Sequence, residues 1–257
     1  MKFDLHMHTT ASPDSILEPQ VLFKVAKERG LDGVAVTNHN VLQNLKGENG
    51  IYVIPGCEVS TDAGHILVYF LKSDICSSLS KNEKGLYSYR EVIEKAHSQG
   101  AIVFAAHPYS PKIARDEGIW DELDGVEVYN SRIVHSRDFF ANEKAADLCR
   151  EKSLAFSVGS DAHSPDEVGA SFWETSLSRE DMEREDFEER LKAELLLANG
   201  RAYGGYAPRQ AVYSCRRKTY IKRKMAKKFI KSYFICAFLW LRDIIKGKKK
   251  SGYVELG

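Results

Sequence analysis

His6 and His8 stand two residues apart at the end of the first short apolar run of the chain, Lys2 to His6. On an extended backbone that spacing throws both imidazoles to one side, where they can grip a single cation. Alone the pair is a weak signal, because two buried histidines satisfied by neighbouring carbonyls would look the same. More imidazoles and carboxylates follow in comparable places. His39 comes just after a second run in Thr37-Asn38-His39-Asn40, and Glu58 ends the turn Pro55-Gly56-Cys57-Glu58 beyond a third. His107 ends a fifth run in Ala105-Ala106-His107-Pro108, and Asp161 and His163 follow Gly159-Ser160. His65 is the exception, since it begins a run instead of ending one. Imidazole mixed with carboxylate, and no thiolate among them, suits zinc, manganese or iron.

These residues need elements that bring them together. Apolar runs rich in β-branched residues predict strands at Lys2 to His6, Gly33 to Thr37, Tyr52 to Ile54, His65 to Leu71, Ala101 to Ala106, Gly125 to Tyr129 and Ala155 to Val158. Helical periodicity predicts helices over Pro19 to Arg29, Ser88 to Gln99, Asp138 to Lys152 and Arg179 to Asn199, with Gly30 and Gly100 closing the first two. Strands alternating with helices imply an α/β fold with a largely parallel sheet, and this many repeats favour a barrel. In a parallel barrel the carboxyl ends of the strands share one face, so all the candidates but His65 converge there. An antiparallel strand would bring His65 to the same face.

At 257 residues, with 43% hydrophobic and 28% charged residues, the composition is that of a folded enzyme or binding module. The five cysteines, Cys57, Cys76, Cys149, Cys215 and Cys236, form no CxxC pair and leave an odd thiol, which fits a reducing compartment. The opening MKFDLHMH has no apolar stretch like a signal peptide, so a cytoplasmic body is expected. The net charge of +1 hides a division: residues 209–257 carry 15 Lys/Arg against two acids, and residues 1–208 carry 22 against 34. The expected organisation is a domain over 1–208 followed by a basic, helical tail over 209–257.

The motifs HMHTTAS, TNHN, PGCEVS, AAHPY and GSDAH, in this order, resemble those of the polymerase and histidinol phosphatase (PHP) superfamily. The resemblance covers roughly residues 1–175 and implies a distorted seven-stranded (β/α)7 barrel holding a trinuclear metal cluster. Carried over by motif, one ion would take His6, His8, Glu58 and Asp161, a second Asp14, His39 and His163, and a third the shared Glu58 with His65 and His107. Two or three divalent ions (Mn, Zn or Fe) are thus implied, with Glu58 bridging two. The chain departs from the pattern twice. Asn38 stands where many relatives carry Asp, which predicts weaker orientation of His39. Pro13 precedes Asp14, which leaves Asp14 open between a ligand and a turn or cap residue ahead of Pro19.

The chemistry expected of such a cluster is hydrolysis of a phosphate ester, a mono- or diester of a small metabolite or nucleotide, by a metal-activated hydroxide. His163 or a metal-bound water is the candidate proton donor. Arg132 and Asn130, in Tyr129-Asn130-Ser131-Arg132 after the sixth strand, are candidates for gripping phosphate, and relatives similar to histidinol phosphatase carry a comparable pair. A 3'-5' exonuclease acting on short oligonucleotides and a noncatalytic metal-stabilised binding or regulatory module are the alternatives. His135 and His97 stay outside the ligand set, and Tyr109 either lines the pocket or plugs the rim.

In the tail, clustered lysines and arginines from Arg216 surround the apolar run Tyr233 to Leu241. That run is too short for the roughly 20 residues of a bilayer crossing. The readings left open are a helix lying on an anionic membrane, and a terminal helix packed on the barrel or against a second subunit. Nucleic acid ranks below both, because the apolar core of the segment has no use on a phosphate backbone.

Overall fold

The computed structural model describes residues 1–109, 117–135, 140–207, 222–247, 249–250 and 253–256. Its strands are β1 (Lys2–Met7), β2 (Gly33–Val36), β3 (Tyr52–Thr61), β4 (Gly64–Tyr69), β5 (Ile102–Ala105), β6 (Gly125–Asn130) and β7 (Ala155–Gly159), followed by β8 (Phe172–Glu174), β9 (Arg201–Gly204), β10 (Lys249–Lys250) and β11 (Tyr253–Leu256). The helices are α1 (Pro19–Glu28), α2 (Tyr89–Ser98), α3 (Ala141–Lys152), α4 (Phe187–Leu196) and α5 (Lys222–Ile245). The sheet order is β10-β11-β9-β8-β1-β2-β3-β4-β5-β6-β7.

Strands β1 to β7 curl into the expected barrel. The N–H groups of Asp161 and His8 donate to His6 O (2.7 Å) and Ala162 O (2.8 Å), so the chain leaving β7 pairs with the end of β1 and closes the ring. Gly159 makes this approach possible: a Cβ there would lie 2.2 Å from the His6 Cβ. The ring is distorted because β8 pairs antiparallel with the start of β1 and leads to β9 and β11. The C-terminal segment therefore returns to the same sheet.

Strict strand–helix alternation fails at the third and fourth strands. The third was expected to stop at Ile54, with Pro55-Gly56 read as a turn. Instead β3 runs on to Thr61, pairing parallel with β2 as far as Pro55 and then antiparallel with β4. A Cβ on Gly56 would lie 2.4 Å from Val68 O, so this glycine permits close strand approach. Because β4 is antiparallel to both β3 and β5, its first residues lie at the end of the barrel where parallel strands finish. His65 reaches the common face by this route.

Apolar side chains from seven strands, including Phe3, Leu5, Ala35, Ile54, Leu67, Tyr69, Phe104, Ala155 and Trp173, form one inner cluster with Phe187, Leu191 and Leu195 of α4. Two outer clusters hold the helices: Leu22, Phe23 and Ala26 of α1 on Val34 and Val36, and Val92, Ile93 and Ala96 of α2 on Val68 and Val103. Tyr109 packs against the α2-side cluster.

The helix expected over Arg179 to Asn199 is broken into a 3-10 turn at Glu180–Glu183 and α4. Asp181 accepts hydrogen bonds from the Ser178 N–H and hydroxyl (2.9 Å each), and Arg184 is extended, so local side-chain bonding replaces the first helical turns. Cys57, Cys76, Cys149 and Cys236 are buried free thiols, and Cys215 lies outside the described residues.

Candidate metal centre

The mouth of the barrel gathers all nine candidate ligands. His6 and His8, at the end of β1, bring their Nε2 atoms to 3.2 Å from each other. Glu58 Oε2 lies 3.5 Å from His6 Nε2 and 3.2 Å from His8 Nε2, and Asp161 Oδ1 lies 3.6 and 3.3 Å from the same atoms. His39 Nδ1 is 3.0 Å from Glu58 Oε2. The second Glu58 oxygen, Oε1, faces the other way, toward His65 Nδ1 (2.7 Å) and His107 Nε2 (2.9 Å). Glu58 is thus one buried carboxylate divided between two imidazole groups. Asp14 reaches His39 Nε2 (3.6 Å) and His163 Nε2 (3.2 Å), so the loop containing Pro13 does bring it to the site.

Backbone placement explains the convergence. The stretch after β2 continues as a bridge between His39 and Glu58, with the Glu58 N–H donating to Asn38 O (3.1 Å) and the Asn40 N–H to Glu58 O (2.9 Å). Asn40, His107 and Asp161 all take positive φ, at 56°, 29° and 54°. Such conformations are strained for these residues and persist where the surroundings fix them.

Three groups have donor atoms within 4.8 Å of one another: His8, His39 and His163; His6, His8 and Glu58; and Glu58, His65 and His107. Their chemistry fits divalent ions. The Nδ1 of His6 is bound to Glu127 Oε1 (2.8 Å), and that of His8 to Ser12 Oγ (2.9 Å), whose own proton goes to Asn38 Oδ1 (3.0 Å). With those partners each ring turns its Nε2 into the cluster. Asp14 Oδ1 is buried without a hydrogen-bond partner at the same place, as a ligand oxygen would be.

Electrostatics follow the crowding. Burial alone would raise Glu58, but His65, His39 and His6 outweigh it and hold the carboxyl well below the usual carboxylate range. Asp161 is likewise lowered, against burial, by His6, His8 and His163. Burial works to lower His39, yet Glu58 and Asp14 push it up to about 10. His163 goes the other way: burial, His8 and Arg132 bring it down to about 4. A neutral imidazole suits a metal ligand.

Asn130, Arg132 and Asn38 are each engaged by neighbouring side chains. Arg132 Nη1 lies 2.6 Å from Glu167 Oε1 in a nearly buried pair. Glu167 Oε2 accepts the His163 N–H (3.0 Å), so this pair backs the His163 loop. Asn130 is fully buried, its amide directed at Glu127 Oε2 (3.1 Å) and Asp161 Oδ2 (3.4 Å). Asn38 does not orient the His39 ring. Its Oδ1 accepts from the Thr9 N–H (2.8 Å) and the Ser12 hydroxyl, and its amide donates to Gln43 (3.0 Å), so it shapes the Thr9 to Ser12 loop instead. His135 is 3.0 Å from Ala207 O and His97 is 2.8 Å from Asp124, both outside the ligand groups.

Glu127, Ser12, Asp4 and Glu167 escaped the sequence reading. Glu127 sits inside β6, accepting from His6, from the His107 N–H (2.7 Å) and from Asn130. Asp4 accepts the N–H groups of Ser160 and Gly169 (2.8 Å each), tying β1 to the loop that carries Asp161. An acidic residue within an otherwise apolar strand was the available signal for Glu127.

A PHP domain model matches residues 4–140, and a PHP-associated model matches residues 139–194. The chain belongs to the PHP family. Among sequence relatives, an uncharacterized protein of Methanocaldococcus jannaschii is 39% identical over 163 residues, 56% of this chain and 89% of its own length. A second from that organism is 30% identical, over 67% of this chain and 69% of its own. A "Probable phosphatase" of Caldicellulosiruptor bescii is 24% identical, over 66% of this chain and 82% of its own. The barrel is similar to that of a two-domain Bacteroides vulgatus protein described as containing a predicted PHP-like metal-dependent phosphoesterase, with TM-score 0.57, 20% identity, and 90% of this chain and 69% of that one covered. PsfC from Pseudomonas syringae shares the fold at TM-score 0.53 and 16% identity, over 93% and 98% of the chains. Both structural likenesses concern the fold.

Proposed function

We propose that this PHP protein hydrolyses a phosphate ester of a small metabolite or nucleotide, with two or three divalent ions held at the barrel mouth. The observation that carries this reading is the division of Glu58 between His6, His8 and His39 on one oxygen and His65 and His107 on the other. One carboxylate shared by two imidazole groups suits neighbouring cations, as two-metal hydrolases require. His6, His8, Glu58 and Asp161 would hold one ion, Glu58, His65 and His107 another, and Asp14, His39 and His163 a third.

Ions so held would polarise a phosphoryl oxygen, render water nucleophilic at neutral pH and neutralise charge on the leaving oxygen. The chain's own residues do the positioning. Glu127 and Ser12 fix the tautomers and ring planes of His6 and His8. Asn130 steadies Asp161 from behind, and the Arg132–Glu167 pair supports the His163 backbone.

The test is hydrolysis of a panel of phosphomonoesters, phosphodiesters and short oligonucleotides by protein loaded with manganese, zinc or iron, alongside Asp161→Asn. Turnover abolished in the variant supports the reading, and the preferred panel member tells a phosphatase from a 3'-5' exonuclease. Silence across the panel with metal bound would overturn it in favour of a noncatalytic module, and equal turnover by the variant would remove the chemistry from this centre.

A further inference from the structure

Among the described residues, helix α5 buries one side of its Ile230 to Ile245 stretch. Leu239 and Ile235 join Val128, Val134 and Val158 in a cluster on the β6–β7 side, and Asp243 accepts a hydrogen bond from Tyr206 (3.2 Å). Ser232, Cys236 and Asp243 are buried on this same side. At about 100° per residue, Ile230, Phe234, Phe238, Leu241, Ile244 and Ile245 fall on a continuous arc opposite to it. That arc is exposed, with Phe234 at 73%, Phe238 at 66% and Ile245 at 76% of full accessibility. Large apolar side chains gathered on one exposed face mark an interaction surface, where scattered ones would not.

The surroundings of the arc select the partner. Residues 209–257 hold 15 Lys/Arg and two acids, and one of those acids, Asp243, is turned inward onto Tyr206. Among the described residues no helix is long and apolar enough to cross a membrane. A second copy seated on the same face would bring two strongly basic segments against each other. An anionic lipid surface offers apolar depth for the arc and negative charge for its flanks. We propose that α5 lies along an anionic membrane surface, its Ile230 to Ile245 arc in the headgroup–acyl boundary and Lys231 and Lys246 beside it on lipid phosphates. This surface is independent of the phosphoesterase reading.

The test is flotation of the full-length protein with vesicles of phosphatidylcholine alone or mixed with phosphatidylglycerol, at low and high salt, with light scattering in parallel. Binding should need phosphatidylglycerol, weaken with salt, and fall at least about tenfold in the Phe234→Glu, Phe238→Glu double variant, since each phenylalanine withdrawn from the boundary forfeits its apolar transfer. Both side chains are exposed, so melting temperature and bound metal should not change, and Ile245→Glu at the helix end serves as a second variant. Absence of binding, equal binding to phosphatidylcholine alone, or full binding by the variants overturns the proposal. A wild-type dimer converted to monomer by Phe234→Glu assigns the face to a second copy and overturns it equally.

Discussion

Glu127 Oε1 lies 2.8 Å from His6 Nδ1, with both side chains wholly buried, so an acid from the middle of β6 sets the ring of a residue more than a hundred positions earlier. Its other oxygen accepts the His107 N–H, so the same carboxylate steadies a second imidazole-bearing segment. Partners of this kind typically contribute 10- to 100-fold to metal affinity or activity. Glu127→Gln should therefore lower metal affinity by about that factor while the barrel stays folded, measured by metal titration and circular dichroism. Unchanged affinity would reduce Glu127 to a packing residue.

Glu58→Gln should do more, because it removes charge from two imidazole groups at once. The expected result is loss of bound metal at both groups and a fall in hydrolysis of at least about 100-fold, above the range for an indirect partner. Elemental analysis beside the rate assay checks it. Loss of rate with full metal content would mean that Glu58 is not a shared ligand.

Metal binding should release protons. His39 is pushed up to about 10 by Glu58 and Asp14 in the absence of a cation, so it carries a proton at pH 7.5 that a ligand imidazole must give up. Affinity should thus weaken as pH falls, and calorimetric enthalpies should vary with the ionisation enthalpy of the buffer. Buffer-independent enthalpies would place His39 outside the ligand set.

Gly159→Ala puts a methyl group against the His6 backbone where β7 meets β1. Overpacking of this kind costs about 1–3 kcal/mol or more, and here it would also spread His6 from Asp161. A lowered melting temperature together with weakened metal binding is expected. A stability loss without a metal effect would separate barrel closure from the centre.

Much of this was legible in the sequence, for identifiable reasons. Each of the seven barrel strands announces itself by an apolar run, and the histidines and acids at their ends converge because strand ends converge. His65 shows the limit: its place depends on the direction of β4, which is set by a hairpin that Pro55-Gly56 disguised as a turn. Strands β8 and β9, Phe-Trp-Glu and Arg-Ala-Tyr-Gly, lack the β-branched apolar run that marks the equally short β2 and β5. Asn130 and Arg132 are legible by position, but their contacts to Asp161 and Glu167, 31 and 35 residues away, are made by the fold and leave no local signal.

The antiparallel β3–β4 hairpin also orders assembly. Glu58 and His65 are seven residues apart and meet through one reversal of the chain, whereas Asp161 reaches the end of β1 only when the entire ring has closed. Loop-closure entropy is smallest for the nearby pair and largest for the distant one. During synthesis the hairpin is therefore the first fragment of the centre to take its geometry, and the His6–Asp161 side, which waits for β7, is the last.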